Sequence, residues 1–440
     1  MVLSTPELAD AMVGSLPHFA LSFAAFPNTP RPQSPEITLI TLADLPRTPD
    51  FLPPTKRTAS DIACLIYTSG TTGNPKACAI RNAMMTGAST SHSQDVSNPK
   101  KYFPLRTYSA LPLFHGTCLF TGLCYDFGAG ACFCLARKFS ASRFFKDVTD
   151  SRATRVLYVG ELCRYLVNSP PSPYDRAHSC IVANGNGLRP EIWLKFKERF
   201  GIPEIREFYR STEGLGKYDN FGVGAWGAGK LAFSGPIKTW LENDTFIVKF
   251  DVDTEQPYRD PKTGFCVKCR LGEAGEVIGR VKDRGLLTEY LGDASATKEK
   301  LINDVFMKGD QFQRMGDLVL QDSDWWVHFH DRIGDTFRWK GENISAGEVR
   351  DHIAALPDVQ DAVVYGVKLN GYDGKAGAAA ITLFDGDDLR FMKTLHKSLR
   401  KTGLPNYAIP RLVRITKEYV SPPLEFHLTF ADQFAGSRPV

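Results

Sequence analysis

The chain has 440 residues, 43% of them hydrophobic and 23% charged, the profile of a globular protein with two or three domains. A net charge of +4 without a long basic run excludes a dedicated nucleic-acid binder. Ten cysteines are scattered, several in apolar stretches such as "ACFCLA" (131–136), so they read as reduced buried thiols and not as a secreted disulfide framework. Cys266 and Cys269 form one C-x-x-C, but no second pair or histidine follows at zinc spacing.

In chain order, Val2 and Leu3 read as the tail of a strand. "STPELADAM" then opens a helix, with Ser4 and Glu7 at capping-box spacing and Pro6 early in the turn. A fold rarely begins two residues into a strand, so the expectation is of material upstream. The segment "EITLITL" (36–42) alternates as a strand, between a proline-rich loop at 27–35 and a linker with four prolines at 46–56.

The next stretch, "IYTSGTTGNPKACAI" (66–80), sits between residues 63–66 and 77–80, both read as buried strands. Glycines let backbone N–H groups converge on an anion, hydroxyls add donors, and Lys76 adds a point charge. Composition alone leaves a phosphate cradle and a polar turn both open. The G-x-x-x-x-G-K-[ST] pattern is absent, which argues against kinase-like and GTPase-like loops. Residues 108–125 lack formal charge, but Pro112, His115, Gly116 and Gly122 interrupt them, so a buried helix with its loop fits better than a membrane span.

From residue 139 to about 301 the pattern alternates as an α/β domain: "SASRFFKDVTD" helix, "ATRVLYVG" strand, "ELCRYLVNS" helix, "CIVANG" strand, "PEIWLKFKERF" helix, "EIREFY" strand. Such sheets bind ligands at the C-terminal ends of their strands, where "NGNGL" and "RSTEG" lie. Residues 274–279 and 317–329 read as later strands. After Asp335 a compact α+β piece is expected. Ser345 and Glu348 form a capping box there, "VQDAVVYGV" and "AGAAAITLF" are strands, and the last helix carries Leu389, Met392, Leu395 and Leu399 on one face. His328 and His330 read as structural, and Cys118 and Cys163 as core.

Six segments stand in a telling order: the 66–80 loop, "LPLFHG" (111–116), "NGNGLR" (184–189), "EFYRSTEG" (207–214), "RMGDL" (314–318) and "DRIGDTFRWKGENIS" (331–345). Together they resemble the adenylate-forming superfamily of acyl-CoA synthetases, adenylation domains and luciferases. "KFSASRFF", "YVGELCRYL", "DVFMKGDQF" and "GDTFRWKGEN" resemble its fatty-acid-transport-protein and very-long-chain acyl-CoA synthetase branch. The resemblance implies an α/β fold, with a large adenylation domain (1–331) of layered sheets and helices, N-terminally incomplete. A small α+β domain (332–440) follows, hinged near 332–335.

It further implies ATP-dependent activation of a fatty acid as an acyl-adenylate, then transfer to CoA. Adenylation in the service of a carrier protein or a secondary-metabolite pathway, or an inactive nucleotide- and acyl-binding remnant, are the alternatives. By this resemblance Thr68, Ser69, Gly70, Thr71, Thr72, Gly73 and Lys76 hold the leaving phosphates, and Lys76, Thr212 and Glu213 are the catalytic set. Glu213 also holds Mg²⁺, and Thr212 bonds a phosphate oxygen. Asn186 and Gly187 wrap the adenine on which Tyr209 stacks, and Asp317 and Arg332 hold the ribose. Phe114 and His115 gate the acyl tunnel, and Gly341 lines the pantetheine channel. On the residues alone, Asp317 and Arg332 also suit a buried salt bridge, His115 a core position, and "RSTEG" a capped turn.

Fatty acid, ATP and CoA are the implied partners, with no nucleic acid and no transmembrane span. Peripheral membrane contact and oligomeric state stay open. The implied location is intracellular, in the cytoplasm or peripheral to endoplasmic-reticulum or peroxisomal membranes. Two departures from the family pattern are expected to matter: the absent upstream segment, and a tail from about residue 416 without the Thr-x-Thr-Phe-Lys lysine.

Overall fold

The computed structural model describes residues 21–25, 37–41, 56–68, 76–89, 104–222, 224–252, 254–333, 336–339, 342–369, 372, 374–384 and 388–416. The helix read at 4–12, most of the 27–35 and 46–56 loops and the tail beyond 416 lie outside them. By contacts the chain divides into residues 1–57 and 58–440. In the first unit the strands Leu21–Ala25 and Ile37–Thr41 pair in parallel, where alternation in "EITLITL" placed a strand.

The second unit contains a six-stranded sheet in the order Tyr218–Asn220, Glu204–Tyr209, Val182–Asn186, Arg155–Val159, Arg106–Ser109, Cys132–Leu135. All neighbours are parallel except the first pair. Helices Phe144–Asp150, Gly160–Asn168 and Pro190–Phe200 connect its strands, and their apolar faces meet the sheet in one cluster holding Phe144, Val148, Leu162, Trp193, Phe196 and Phe200. Pro190 opens the third helix and Gly201, at φ +66°, closes it, the asymmetry that helix ends favour. Cys118 and Cys163 are fully buried in this core, as expected.

The parallel pattern stops at Tyr209. From Ala232 to Arg332 the strands form an antiparallel sheet, with Ala274–Arg280 and Gln311–Gln321 at its centre and Trp326–Arg332 on the outer side of Gln311–Gln321. The expectation of α/β alternation to residue 301 is corrected here. Thr245–Asp251 buries Phe246 and Val248 while their neighbours stay partly solvated, the period-2 signature of a one-sided antiparallel strand. A third sheet, Val359–Lys368, Lys375–Leu383 and Leu412–Thr416, packs with helices Ala346–Ala354 and Asp388–Lys401 around its own apolar cluster. Ser345 caps the first of these helices, accepting from the Glu348 N–H at 3.0 Å.

Two further readings need correction, and a third gains detail. The strand Ile62–Thr68 is not buried: only Ile66 is, because among the described residues it pairs on one edge alone, with Lys76–Arg81. The last helix buries Phe391, Leu395 and Leu399, while Leu389 is 71% exposed. At 100° per residue those three positions span 80°, and residue 389 falls on the opposite side. Residues 108–125 supply the end of strand Arg106–Ser109, a turn, and a widened helix, Thr117–Cys124, in which the Tyr125 N–H reaches the Phe120 carbonyl five residues back.

A buried ion pair locks that widened helix to the sheet. The Asp126 carboxylate accepts from Arg155 at 3.0 Å and from Thr107 at 2.9 Å, and the guanidinium lies 4.4 Å from the Tyr125 ring centroid. Burial pushes the Asp126 carboxyl up to about 6 in spite of Arg155. Asp126→Ala, which orphans a fully buried guanidinium, should destabilise the chain by about 3–5 kcal/mol. Urea unfolding should show a smaller loss for Asp126→Leu combined with Arg155→Met, which removes both charges.

Candidate active site

The 66–80 stretch is a hairpin. Its strands pair from Ile62↔Arg81 to Thr68↔Lys76, so Thr68 and Lys76 face each other at the mouth of the loop. Residues 69–75, which include Ser69, Gly70, Thr71, Thr72 and Gly73, lie outside the described residues, as does Gly341. The free edge of Lys76–Arg81 is taken by residues 289–291: the Ala79 N–H donates to the Glu289 carbonyl and the Leu291 N–H to the Ala77 carbonyl, both at 2.8 Å. That pairing carries Tyr290 beside Lys76, whose ammonium stands 5.4 Å from the ring centroid and 3.9 Å from Asp293.

Strand Glu204–Tyr209 delivers the next group. Tyr209 donates its hydroxyl to Asp317 at 2.6 Å, bringing the C-terminal end of the parallel sheet onto the antiparallel one. Asp317 is opposite Arg332 in the register of strands Gln311–Gln321 and Trp326–Arg332, 3.7 Å from its guanidinium. The Arg332 side chain is 74% exposed, so this is no buried salt bridge, and most of its donor fork faces outward. Burial raises the Asp317 carboxyl above the usual range, with Tyr209 and Arg332 working against the rise.

The turn after Tyr209 is clamped from below. Gln313, buried on the antiparallel sheet, accepts from the Leu215 N–H at 2.9 Å and donates to the Glu213 carbonyl at 3.1 Å. Glu213 is thereby aimed at Tyr290, which donates to its Oε1 at 2.8 Å, and at Lys300, whose ammonium bonds the same oxygen. Burial pushes the Glu213 carboxyl up, but Lys300 and Tyr290 outweigh it, and the group lies below the ordinary carboxylate range.

A third cluster joins the remaining candidates. Asn186 accepts from the Thr117 hydroxyl at 3.0 Å, and the Thr117 N–H donates to His115 Nδ1 at 3.2 Å. A Cβ on Gly116 would come within 4.0 Å of the Thr212 hydroxyl, so the 115–117 turn, Asn186 and Thr212 are neighbours. His115 is exposed on this turn, although desolvation by the neighbouring protein lowers its pKa. Phe114 is 78% exposed. Gly187 sits at φ +76°, and a Cβ on Gly160 would stand 1.7 Å from its carbonyl oxygen, so this loop requires glycine on both sides of the contact.

Beneath the loop lies Glu207, fully enclosed. One of its oxygens accepts from the Leu188 N–H at 2.9 Å, the other from the Tyr158 hydroxyl. Sequence reading missed Glu207, Gln313, Tyr290 and Lys300. Glu207 left a signal, a carboxylate inside the apolar strand "EIREFY". Tyr290 and Lys300 lie 77 and 87 residues beyond Glu213 and left none.

A family model described as AMP-binding enzyme matches residues 20–267, more than half of the chain. The chain belongs to that family of adenylate-forming enzymes. Its curated homologues near 40% identity include long-chain and very-long-chain fatty acid transport proteins. That of Cochliobolus heterostrophus is 40% identical over 358 residues, 80% of this chain and 55% of the relative. Isopenicillin N epimerase component 1 of Hapsidospora chrysogena is 39% identical over 358 residues, 80% of this chain and 58% of the relative. The chain thus spans about half the length of the curated relatives it matches. The fold is that of an anthranilate CoA ligase solved with anthranoyl-AMP (TM-score 0.72, 18% identity, 98% of this chain and 77% of that one).

Glu207 yields a pH prediction. Burial pushes its carboxyl up to about 8, so the folded chain holds this proton more tightly than the unfolded chain does. The stability it confers is full below the ordinary carboxylate pKa and is lost as pH rises to about 8. Glu207→Gln should flatten that part of the profile. Thermal unfolding from pH 5 to 9 would show it as a wild-type-minus-variant difference that falls with pH.

Proposed function

We propose that this chain carries the nucleotide-activating site of an acyl-CoA synthetase: it joins a long- or very-long-chain fatty acid to AMP and passes the acyl group to CoA. One observation carries the reading. The Tyr209–Asp317 hydrogen bond gathers an aromatic ring, a carboxylate paired with an exposed arginine, and the Thr212–Glu213 turn at the C-terminal end of a parallel sheet, where such sheets bind ligands.

In this reading Asp317 accepts from ribose hydroxyls, the Arg332 fork adds a second anchor, and Tyr209 offers its ring to the adenine beside Asn186 and Gly187. Lys76 and the 69–75 loop face the departing phosphates. Thr212, next to Gly116 and His115, donates to a phosphate oxygen close to the incoming carboxylate. Glu213 suits Mg²⁺, a hard cation that keeps few protein carboxylates and takes its other ligands from phosphate and water. When bound, the ion would draw charge off the phosphates as the bond to pyrophosphate breaks. Among the described residues no group of three His, Cys, Asp or Glu could hold a metal without such help.

Further parts of the proposal are the division into residues 1–331 and 332–440 with a hinge at 332–335, an acyl gate at Phe114 and His115, and Gly341 beside CoA. Among the described residues no helix is long and apolar enough to cross a membrane. A second reading, adenylation within a secondary-metabolite pathway, draws on the isopenicillin N epimerase component at nearly the same identity.

Two measurements test this reading. A non-hydrolysable acyl-adenylate mimic should bind, and Asp317→Ala should weaken it by about 1–3 kcal/mol, the scale of a charged acceptor's hydrogen bonds. Calorimetry showing no change would remove Asp317 from the site. Competing fatty acids of increasing length should gain about 0.8 kcal/mol for each methylene buried, until the tunnel is full. A flat series would favour the second reading.

A further inference from the structure

The carboxylate proposed above for Mg²⁺ already has a cation on it. Lys300 ends the helix Ala294–Glu299, and its backbone is held by the Arg314 N–H, which donates to the Lys300 carbonyl at 2.8 Å. Its ammonium bonds Glu213 Oε1, the same oxygen that accepts from Tyr290. It also stands 5.6 Å from the Tyr290 ring centroid, while Lys76 stands 5.4 Å from that centroid. One ring thus has two ammonium groups around it, the second at the mouth of the 69–75 loop.

The charges balance as they stand: Glu213, Asp293 and Asp317 against Lys76, Lys300 and Arg332. A divalent cation arriving at Glu213 would displace the Lys300 ammonium from its only carboxylate contact within ion-pair distance among the described residues. Lysine is suited to such a move, being a compact charge on a flexible four-carbon stem. The Lys300 side chain is 31% exposed, so its tip has room to swing. The nearest new anion would be the polyphosphate that comes with the metal.

We propose that Lys300 exchanges partners during nucleotide binding: it neutralises Glu213 in the free chain and moves onto the phosphates when Mg²⁺ takes the carboxylate. The inference rests on the reading of Glu213 as the metal-holding residue and adds a phosphate-binding residue to it. Lys300 would then complete, with Lys76, a two-lysine clamp on the phosphates. No bond is made or broken in the exchange, and each ammonium keeps its proton.

The test uses the 440-residue chain and two probes, Mn²⁺ alone followed by electron paramagnetic resonance and MgATP followed by calorimetry. Lys300→Gln frees Glu213 from its competitor, so Mn²⁺ alone should bind about threefold or more tighter than to the wild type. The same variant should bind MgATP about tenfold or more weaker, the scale of a lost charge-assisted hydrogen bond. Lys300→Arg, which keeps the charge, should restore MgATP binding to within about threefold. Should Lys300→Gln not fold, Lys300→Ala removes the same ammonium and carries the measurement.

The opposite signs are the signature of an exchange. Equal weakening of both probes would make Lys300 a structural peg and overturn the proposal, and so would unchanged MgATP binding in a folded variant. A wild-type chain that binds no MgATP would sink the nucleotide-site reading itself, a result distinct from a wild type that binds and a variant that binds equally well.

Discussion

One hydroxyl sets the position of everything else at the site. Tyr209 ends a parallel strand and Asp317 sits mid-strand in the antiparallel sheet, 108 residues on, yet they meet at 2.6 Å. Two separately built sheets are thereby registered to within a hydrogen bond. With Tyr209 fixed, the chain must turn at once, and Gln313 receives the turn by bonding one N–H and one carbonyl of residues 213–215. Thr212 and Glu213 are then aimed by backbone geometry and not by their own rotamers alone, the kind of support that keeps a polar site within the tolerance its chemistry needs.

The site concentrates carboxylates where water is scarce, and each is handled differently. Glu207 is enclosed among Leu188 and Tyr158 with no cation on it, so its pKa climbs. Glu213 is nearly as buried but bonded by Lys300 and Tyr290, so it stays ionised. Asp317 lies between these cases, raised by burial and relieved by Tyr209 and Arg332. Environment separates three acids of similar intrinsic strength into one held near neutrality and one ready for a cation, with a third able to accept hydrogen bonds. Glu207 supports the backbone of the Asn186–Leu188 loop by accepting from the Leu188 N–H, a bond that either form of the carboxyl can make.

How much of this was legible follows from where each signal resides. Local chemistry wrote the helix that Pro190 opens and Gly201 closes, the Ser345 cap, and the strand "EIREFY", and all were readable because their causes lie within a few residues. The ordered motifs pointed to Thr212, Glu213, Asp317 and Arg332, and the fold brings these near one another. The buried face of the last helix was misread because Leu389 and Met392 are as apolar as Phe391, and only packing chooses among them. Lys300 was invisible for a different reason: in "ATKEKL" it is one of two lysines at an exposed helix end, and nothing local separates it from Lys298. Its partner comes from the far side of a sheet crossover.

The contact between the C-terminal sheet and the parallel-sheet unit rests in part on one arginine. Arg164, on the helix whose first residue Gly160 supports the Gly187 loop, bonds the Gln360 carbonyl at 3.2 Å and lies 3.9 Å from Asp361. Its main partner, though, is Glu161 on its own helix, engaged through both carboxylate oxygens. If residues 336–416 swung away, the guanidinium would keep that pair, so no buried charge would be orphaned, which is the expensive outcome. Asp361, whose carboxyl burial holds above the usual range, would regain water and lose that penalty. At this contact the bonds to Gln360 and Asp361 can part while the pair with Glu161 remains. The contact lies on the helix whose first residue, Gly160, packs directly against the Gly187 carbonyl, so the 186–188 loop and the Arg164 contact share one rigid element.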